Sequence, residues 1–112
     1  RAEAYLRAGA DGIMIHSKKK VPNEIFEFSK KFRKDFKSVP LICVPSTYNS
    51  VKEETLIRNH FNIVIYANHL FRAAYPAMQK TASSILKHGR TKESDKNLIS
   101  IKDILKLIPG TQ

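Results

Sequence analysis

Polar side chains that could bind or react with a small anion follow each of three short apolar segments. In chain order they are His16, Ser17, Ser46, Thr47 and Asn68. An imidazole such as that of His16 can donate a hydrogen bond to a phosphate or carboxylate oxygen, or exchange a proton near neutral pH. Its structural alternative is a hydrogen bond to a neighbouring loop carbonyl. Hydroxyl and amide groups can hold an anionic substrate, although these residue types also form turns and cap helices.

The apolar segments before these side chains, residues 12–15, 41–44 and 62–66, have the composition of buried strands. Each is too short for a helix and too uniformly apolar for a strand with one face in water, so burial on both faces is predicted. Segments with helical periodicity lie between them, which favours an α/β fold with a parallel sheet. In such folds reactive groups lie at the carboxyl ends of the strands, where these polar side chains are expected.

A helix is predicted between the first two strands, because apolar residues recur there at helical spacing and the lysines fall on the other face. This apolar stripe consists of Ile25, Phe28, Phe32 and Phe36. Pro22 suits the first position of that helix.

A second, shorter helix is predicted between the second and third strands. Ser50 and Glu53 have the spacing of a capping box, which indicates a helix that runs to about Arg58. Asn59 or His60 must then supply the C-terminal turn for which glycine is the usual residue.

A longer helix is predicted over residues 69–87, with Pro76 expected to kink or restart it. Its candidate buried face comprises Leu70, Ala74, Ala77, Met78, Thr81, Ala82 and Ile85. Residues 88–97 are polar and predict a loop in which His88 is exposed to solvent. Ser100 and Asp103 indicate the start of a final helix within residues 98–109, which Pro109 and Gly110 would stop. Its apolar side comprises Ile101, Ile104, Leu105 and Ile108.

Composition predicts one small domain without a membrane span. The chain has 112 residues, of which 42% are hydrophobic, which is compatible with a packed core. No segment approaches the roughly 18 continuous apolar residues that a membrane-spanning helix needs. The single cysteine, Cys43, lies in an apolar run and predicts a reduced, buried thiol, hence a cytoplasmic protein. Because the chain starts with Arg1, in a helical pattern, we interpret it as a fragment.

The formal net charge of +10 would attract phosphates, nucleic acid or anionic membranes. The basic residues are spread along the chain, however, without the interleaved aromatic residues on which nucleic-acid bases stack. Solvated helix faces are the favoured interpretation, so neither nucleic acid nor a membrane is an expected partner. The alternative from another functional class is a non-catalytic module that binds a polyanion, and such binding would weaken steeply as salt rises.

The same residues do not supply a metal site or a complete active site. No Asp-x-Asp pair follows a predicted strand, and Asp11 precedes its strand. The sequence has no glycine-rich phosphate loop, no Cys-x-x-Cys pair and no nucleophile elbow. Three parallel strands would also leave two apolar sheet edges uncovered, which favours a piece of a larger barrel.

The stretches RAEAYLRAGADGIMIHSKK, VPSTYNS and NIVIYANHLFRAAYPAMQK together resemble the phosphoenolpyruvate mutase family of the isocitrate lyase superfamily. The family folds as a (β/α)8 TIM-type barrel, which implies that the three strands are its sixth, seventh and eighth and that residues 1–112 are one fragment of a barrel domain. Exchange of a C-terminal helix between subunits, here residues 98–109, would make a homo-oligomer. Two departures from the family pattern concern folding: Asn59 and His60 replace a glycine, and Val21 replaces a capping aspartate.

The resemblance also implies a reaction, the interconversion of phosphoenolpyruvate and phosphonopyruvate with Mg²⁺ as the cofactor. His16 matches the histidine that contacts the phosphoryl end of the substrate, so it is the predicted catalytic residue. Further candidates for substrate binding are Ser17, Ser46, Thr47 and Asn68. The family's magnesium ligands, gating loop and catalytic arginine lie upstream of these residues, so the chain alone is expected to be inactive. A mutase is therefore not distinguished from a phosphonopyruvate hydrolase or a carbon–carbon lyase of the same superfamily.

Overall fold

The computed structural model describes residues 1–108 and 110 of the chain. These residues form two compact units, of which the first is Arg1–Ala67 and the second begins at Asn68. The first unit contains three strands and three helices, and the second is helical. Pro109, one of the two residues predicted to stop the last helix, lies outside the described residues.

The first unit contains a three-stranded parallel sheet, as predicted. Its strands lie side by side in the order β1 (Ile13–Ile15), β2 (Leu41–Cys43) and β3 (Ile63–Val64). Ile15 pairs with Cys43, and Cys43 pairs with Val64. The strands are shorter than predicted, although the Ile65 N–H still donates to the Cys43 carbonyl at 2.9 Å beyond the end of β3. Because all three strands are parallel, their carboxyl ends lie at one edge of the sheet.

The prediction that these strands are buried on both faces is wrong for this chain. Ile13 is 7% exposed and Leu41 is fully buried, whereas Met14 is 62% exposed and Ile63 is 47% exposed. Successive side chains of a strand point to opposite faces of the sheet. The helices of this unit bury one face, and the described residues leave the other face open.

Three helices accompany the sheet in this unit: α1 (Ala2–Arg7), α2 (Asn23–Asp35) and α3 (Glu53–Arg58). The predicted stripe of α2 is confirmed, since Ile25 and Phe32 are buried and Phe28 and Phe36 are partly buried. Pro22 is the N-cap residue of α2 rather than its first helical residue. The buried apolar side chains form one cluster, which consists of Ile13, Ile25, Phe32, Leu41, Cys43, Tyr48, Leu56 and Phe61.

The start of α3 differs from the prediction, whereas its end agrees with it. The N-cap is Lys52, without a side-chain capping bond, so the predicted box of Ser50 and Glu53 is wrong. Glu53 is the first helical residue, and its carboxylate accepts a hydrogen bond of 2.7 Å from the Tyr66 hydroxyl. After the helix, His60 adopts the left-handed conformation with φ of 64°, the turn that glycine usually makes.

The second unit contains α4 (His69–His88), a 3₁₀ turn (Asp95–Asn97) and α5 (Ile101–Leu105). α4 continues through Pro76 as one helix, so the predicted restart does not occur. The helix also includes His88, which was predicted to lie in a loop; its ring Nδ1 lies 2.9 Å from the Ser84 carbonyl oxygen. Gly89, with φ of 63°, then makes the left-handed turn that ends the helix.

α5 begins as predicted but is shorter than the predicted helix. The Ser100 side chain accepts a hydrogen bond from the Asp103 N–H at 3.1 Å, which confirms the cap. Helical structure runs from Ile101 to Leu105, so among the described residues it covers less than the predicted span of residues 98–109. No helix in the described part of the chain is long and apolar enough to cross a membrane.

The apolar side chains of the second unit are exposed, and the predicted buried face of α4 is not covered. No residue of α4 or α5 is buried. On α4, for example, Leu70 is 87% exposed and Phe71 is 68% exposed. A helix with an apolar stripe needs a facing surface, which α4, a short turn and α5 do not supply within this unit.

Candidate functional site

His16 directly follows the last residue of β1, at the carboxyl edge of the sheet, as predicted. Its side chain is exposed and makes no hydrogen bond or ion pair with any described residue. It lines one end of an open groove of about 500 Å³ that runs along β1. The alternative to a functional role, a hydrogen bond from the imidazole to a neighbouring loop carbonyl, is therefore absent among the described residues. The imidazole is free to bind an external group.

Ser17 and Thr47 connect the ends of β1 and β2. Ser17 is 3% exposed. The Thr47 hydroxyl donates to the Ser17 carbonyl oxygen at 2.6 Å. This bond joins the loop after β1 to the loop after β2, so two of the predicted site residues are in direct contact.

The Ser17 hydroxyl is itself engaged by the protein. It donates to the Glu24 carboxylate at 2.6 Å and accepts from the Lys19 backbone N–H at 3.1 Å. The Lys19 ammonium lies 3.8 Å from the other oxygen of Glu24. Glu24 was not among the predicted site residues; its position in the first turn of α2, where a carboxylate is favoured, was the available signal.

Ser46 and Asn68 are the other two predicted site residues, and the structure does not connect their side chains to Ser17 or Thr47 by hydrogen bonds among the described residues. Ser46 is half-buried, and its hydroxyl makes no hydrogen bond with the residues that the structure describes. Asn68 is the N-cap residue of α4 and makes no side-chain capping bond. It belongs to the second compact unit. A role of either residue in substrate binding stays a prediction.

Tyr48 and Cys43 lie buried next to these loops, and neither was predicted as part of a site. Tyr48 is fully buried, and its hydroxyl has no partner at ordinary hydrogen-bond distance and angle within residues 1–108 and 110. Burial raises the pKa of Tyr48 to about 12; the charge of Cys43 adds to the rise, and the Val44 backbone opposes it. Burial likewise raises the pKa of the Cys43 thiol to about 11. Both groups are neutral at physiological pH, so they act as packing for the loop that contains Thr47.

A magnesium site does not fit this part of the protein. Among the described residues, no group of three or more His, Cys, Asp or Glu side chains could hold a metal ion. Glu24, the carboxylate nearest the site in these contacts, is engaged by Ser17 and Lys19. Hard oxygen ligands are what Mg²⁺ requires, and they are not assembled here.

The arrangement supports one chemical role, the binding of anionic charge by a positioned imidazole. His16 is the titratable group of the predicted site, and the other four members are alcohols or an amide. A hydrogen-bond donor fixed at a strand end can stabilise charge that develops on a phosphoryl or enolate oxygen. These residues do not by themselves make a nucleophile–base pair or a complete active site.

Comparison with known proteins places these features in a family. The family model described as phosphoenolpyruvate phosphomutase matches residues 1–86. The chain is 38% identical over 107 residues to a phosphoenolpyruvate phosphomutase from Tetrahymena pyriformis, covering 96% of this chain and 35% of that protein. Its fold matches the crystal structure of a phosphoenolpyruvate phosphomutase from Streptomyces platensis subsp. rosaceus with a TM-score of 0.82 and 32% identity, covering 95% of this chain and 36% of that one.

A hydrolase is similar to the chain at the same level. The crystal structure of a phosphonopyruvate hydrolase in complex with oxalate and Mg²⁺ is 40% identical, with a TM-score of 0.78, and covers 94% of this chain and 36% of that one. The chain spans about a third of the length of the curated relatives it matches. Its parallel sheet with helices is the predicted α/β fold, a portion of a TIM-type barrel.

Proposed function

The chain belongs to the phosphoenolpyruvate phosphomutase family, and from this membership we propose that its protein interconverts phosphoenolpyruvate and phosphonopyruvate. In this reaction the bond between phosphorus and C3 of phosphonopyruvate breaks and a bond from phosphorus to the C2 oxygen forms. The observation that carries the proposal is the free imidazole of His16 at the carboxyl end of β1. That is where parallel α/β enzymes hold their reactive groups.

His16 acts in this proposal as a donor to the phosphoryl group in transit. An N–H of the imidazole binds a phosphoryl oxygen and stabilises its charge while neither the P–C nor the P–O bond is complete. A fixed donor reorganises little during the reaction, which makes its electrostatic contribution large. Ser46 and Asn68 remain predicted contacts for the rest of the substrate.

Hydrolysis of phosphonopyruvate is the second candidate, since the hydrolase structure has 40% sequence identity to the chain and the Tetrahymena mutase has 38%. Here the P–C bond breaks, the oxygen of water bonds to phosphorus, and C3 takes up a proton to give pyruvate and phosphate. The same donor from His16 serves both reactions. The two activities therefore differ in what replaces carbon at phosphorus.

The proposal that the protein uses magnesium is based on a related structure and not on the residues of this chain. The hydrolase structure contains Mg²⁺ with oxalate, whereas the described residues of this chain do not fit a metal site. We propose that the protein uses Mg²⁺ held by residues outside this chain. No step assigned to His16 depends on that ion.

The experiment follows phosphonopyruvate by phosphorus NMR with the full-length protein and Mg²⁺. A mutase produces the phosphate ester phosphoenolpyruvate, and a hydrolase produces inorganic phosphate. His16→Ala should lower the rate by roughly 100-fold or more if its donor stabilises the phosphoryl charge. His88→Ala, at the exposed end of α4, is the matched control and should leave the rate unchanged. Full turnover by His16→Ala removes this residue from the mechanism.

A second copy of the chain is the proposed cover for the exposed apolar side chains of the second unit. Leu70 and Phe71 on α4, and Ile101 on α5, are each more than two-thirds exposed, and large exposed apolar side chains of this kind are typical of subunit contacts. Light scattering of the full-length protein tests this, and a monomer contradicts it. A cytoplasmic location stays a prediction.

A further inference from the structure

The backbone of His16 is fixed from both sides. On one side, Ile15 belongs to β1 and pairs with Cys43 of β2. On the other side, Ser17 is buried and bonded to two different parts of the first unit. A side chain between two anchored residues has its base held in place, while its ring remains free for an external ligand.

We propose that Thr47 and Glu24 are positioning residues that hold the loop after β1 so that His16 meets the substrate in the reactive geometry. This inference rests on the function proposed above, in which His16 touches the phosphoryl group. Neither Thr47 nor Glu24 touches the substrate in this proposal. Each acts on His16 through Ser17, the next residue along the chain.

Thr47 holds the backbone of the loop. Its hydroxyl donates to the Ser17 carbonyl oxygen at 2.6 Å. Ser17 is nearly fully buried, so loss of this donor leaves a carbonyl with poor access to water and allows its peptide group to rotate. Thr47 is itself held, because Pro45 and Tyr48, on either side of it, are buried.

Glu24 holds the side chain of the same residue. Its carboxylate accepts from the Ser17 hydroxyl at 2.6 Å, and it lies in the first turn of α2, where the helix dipole favours its negative charge. The Ser17 hydroxyl also accepts from the Lys19 N–H, which closes a turn over residues 17–19. The loop is thereby tied to the start of α2 as well as to the end of β2.

The consequence concerns the rate of reaction more than the binding of substrate. A misplacement of about 1 Å in a reacting group can lower a rate by roughly 100-fold. His16 would still reach an anion in the ground state, because its side chain is exposed. The structure therefore assigns the Ser17 and Thr47 hydroxyls to holding this loop.

The test uses Thr47→Val, which keeps the shape of the side chain and removes its donor, and Thr47→Ser, which restores the donor. Glu24→Ala and Glu24→Gln form a second pair, since the amide oxygen of Gln can still accept from Ser17. The controls are Thr55→Val, whose hydroxyl only accepts a long 3.3 Å bond from Arg58, and Glu27→Ala, an exposed acid on α2. All are made in the full-length protein and assayed with phosphonopyruvate and Mg²⁺.

We expect Thr47→Val and Glu24→Ala to lower kcat by roughly 10- to 100-fold with KM changed by less than about 3-fold. Thr47→Ser and Glu24→Gln should recover most of kcat, and both controls should match the parent. The ring signals of His16, labelled with ¹³C-histidine and assigned by His16→Gln, should shift or broaden in Thr47→Val and return in Thr47→Ser. If Thr47 only helped the protein to fold, a correctly folded Thr47→Val variant would keep both the kcat and the His16 ring signals of the parent.

The inference is overturned if Thr47→Val and Glu24→Ala retain the parent's kcat, or if kcat falls while the His16 signals stay unchanged. If Thr47→Val does not fold, the Glu24 pair decides the question. Failure of the proposed function has a different signature, because the parent protein then leaves phosphonopyruvate unchanged or His16→Ala keeps full activity. An active parent that needs His16 but tolerates both substitutions overturns only the positioning role.

Discussion

Arg33, on α2, connects the end of its helix with the starts of β2 and β3, so its replacement tests how the sheet is held. Its guanidinium donates hydrogen bonds to five residues. The acceptors are the carbonyl oxygens of Phe36, Lys37, Val39 and His60 and the side-chain oxygen of Asn62, at distances from 2.5 to 3.4 Å. The same Asn62 oxygen accepts from the Leu41 N–H at 2.9 Å. One planar cation thus joins the end of α2 and the start of β2, which follow it closely in sequence, to the segment before β3, which lies 27 to 29 residues away.

The perturbation is Arg33→Lys, which keeps the positive charge but replaces a five-donor planar group with one ammonium. Two of the bonds, to Phe36 and Val39, are part-buried, and the others are exposed. Loss of a part-buried bond to a charged donor destabilises by roughly 1.5 kcal/mol, whereas water replaces much of an exposed one. Because the ammonium can keep some of these contacts, we expect a net loss of about 2 kcal/mol in the free energy of unfolding.

The assay is equilibrium unfolding of the full-length protein in urea, followed by circular dichroism. With a slope of roughly 2 kcal/mol per molar, a loss of this size lowers the midpoint by about 1 M. Arg58→Lys is the control, because the side-chain hydrogen bond of Arg58 among the described residues is one exposed 3.3 Å bond to the hydroxyl of half-buried Thr55; its midpoint should shift by less than about 0.3 M. If Arg33→Lys unfolds at the parent's midpoint, the guanidinium does not hold the three segments together and the reasoning is wrong.

Two further predictions concern the same unit. His60→Gly should raise the free energy of unfolding by about 0.5–1 kcal/mol, since glycine adopts φ of 64° without strain. Asn59→Gly, at a position where φ is −93°, should lower the free energy of unfolding in the same urea assay. If Asn59→Gly is the more stable of the two variants, the strain argument is wrong. Burial raises the pKa of Cys43 from 9.0 to about 11, so its contribution to stability is fully present below pH 9 and is lost as pH rises from about 9 to 11. Between pH 8 and pH 10.5 the free energy of unfolding should therefore fall by about 1–3 kcal/mol more in the parent than in Cys43→Ala. Equal decreases in the two proteins contradict the burial argument.

The sequence was sufficient where a local pattern has a direct physical meaning. The helical spacing of Ile25 and Phe32 predicts a buried stripe, because residues three and four apart share one face of a helix. Short β-branched runs between helices predict parallel strands, and the pairing of Ile15 with Cys43 confirms it. The position of His16 at a strand end follows from the same pattern.

Capping and burial were predicted less well, because each depends on a choice among competing partners. Ser50 and Glu53 have capping-box spacing, yet the helix starts at Glu53, whose carboxylate bonds to Tyr66 instead. Met14 is as apolar as its neighbours in β1 and is nevertheless 62% exposed. Spacing along the chain does not state which surface faces which side chain.

By itself, then, the sequence determined the order of the elements, the parallel sheet, the membership of the phosphoenolpyruvate phosphomutase family and the place of His16 at a strand end. Only the tertiary structure decided that the His16 ring is free of described partners, and that Thr47 and Glu24, 31 and 8 residues away, converge on Ser17 beside it. The reason is physical: periodicity follows from the geometry of one element. A hydrogen bond between loops depends on how separate elements pack, and no local pattern encodes that distance.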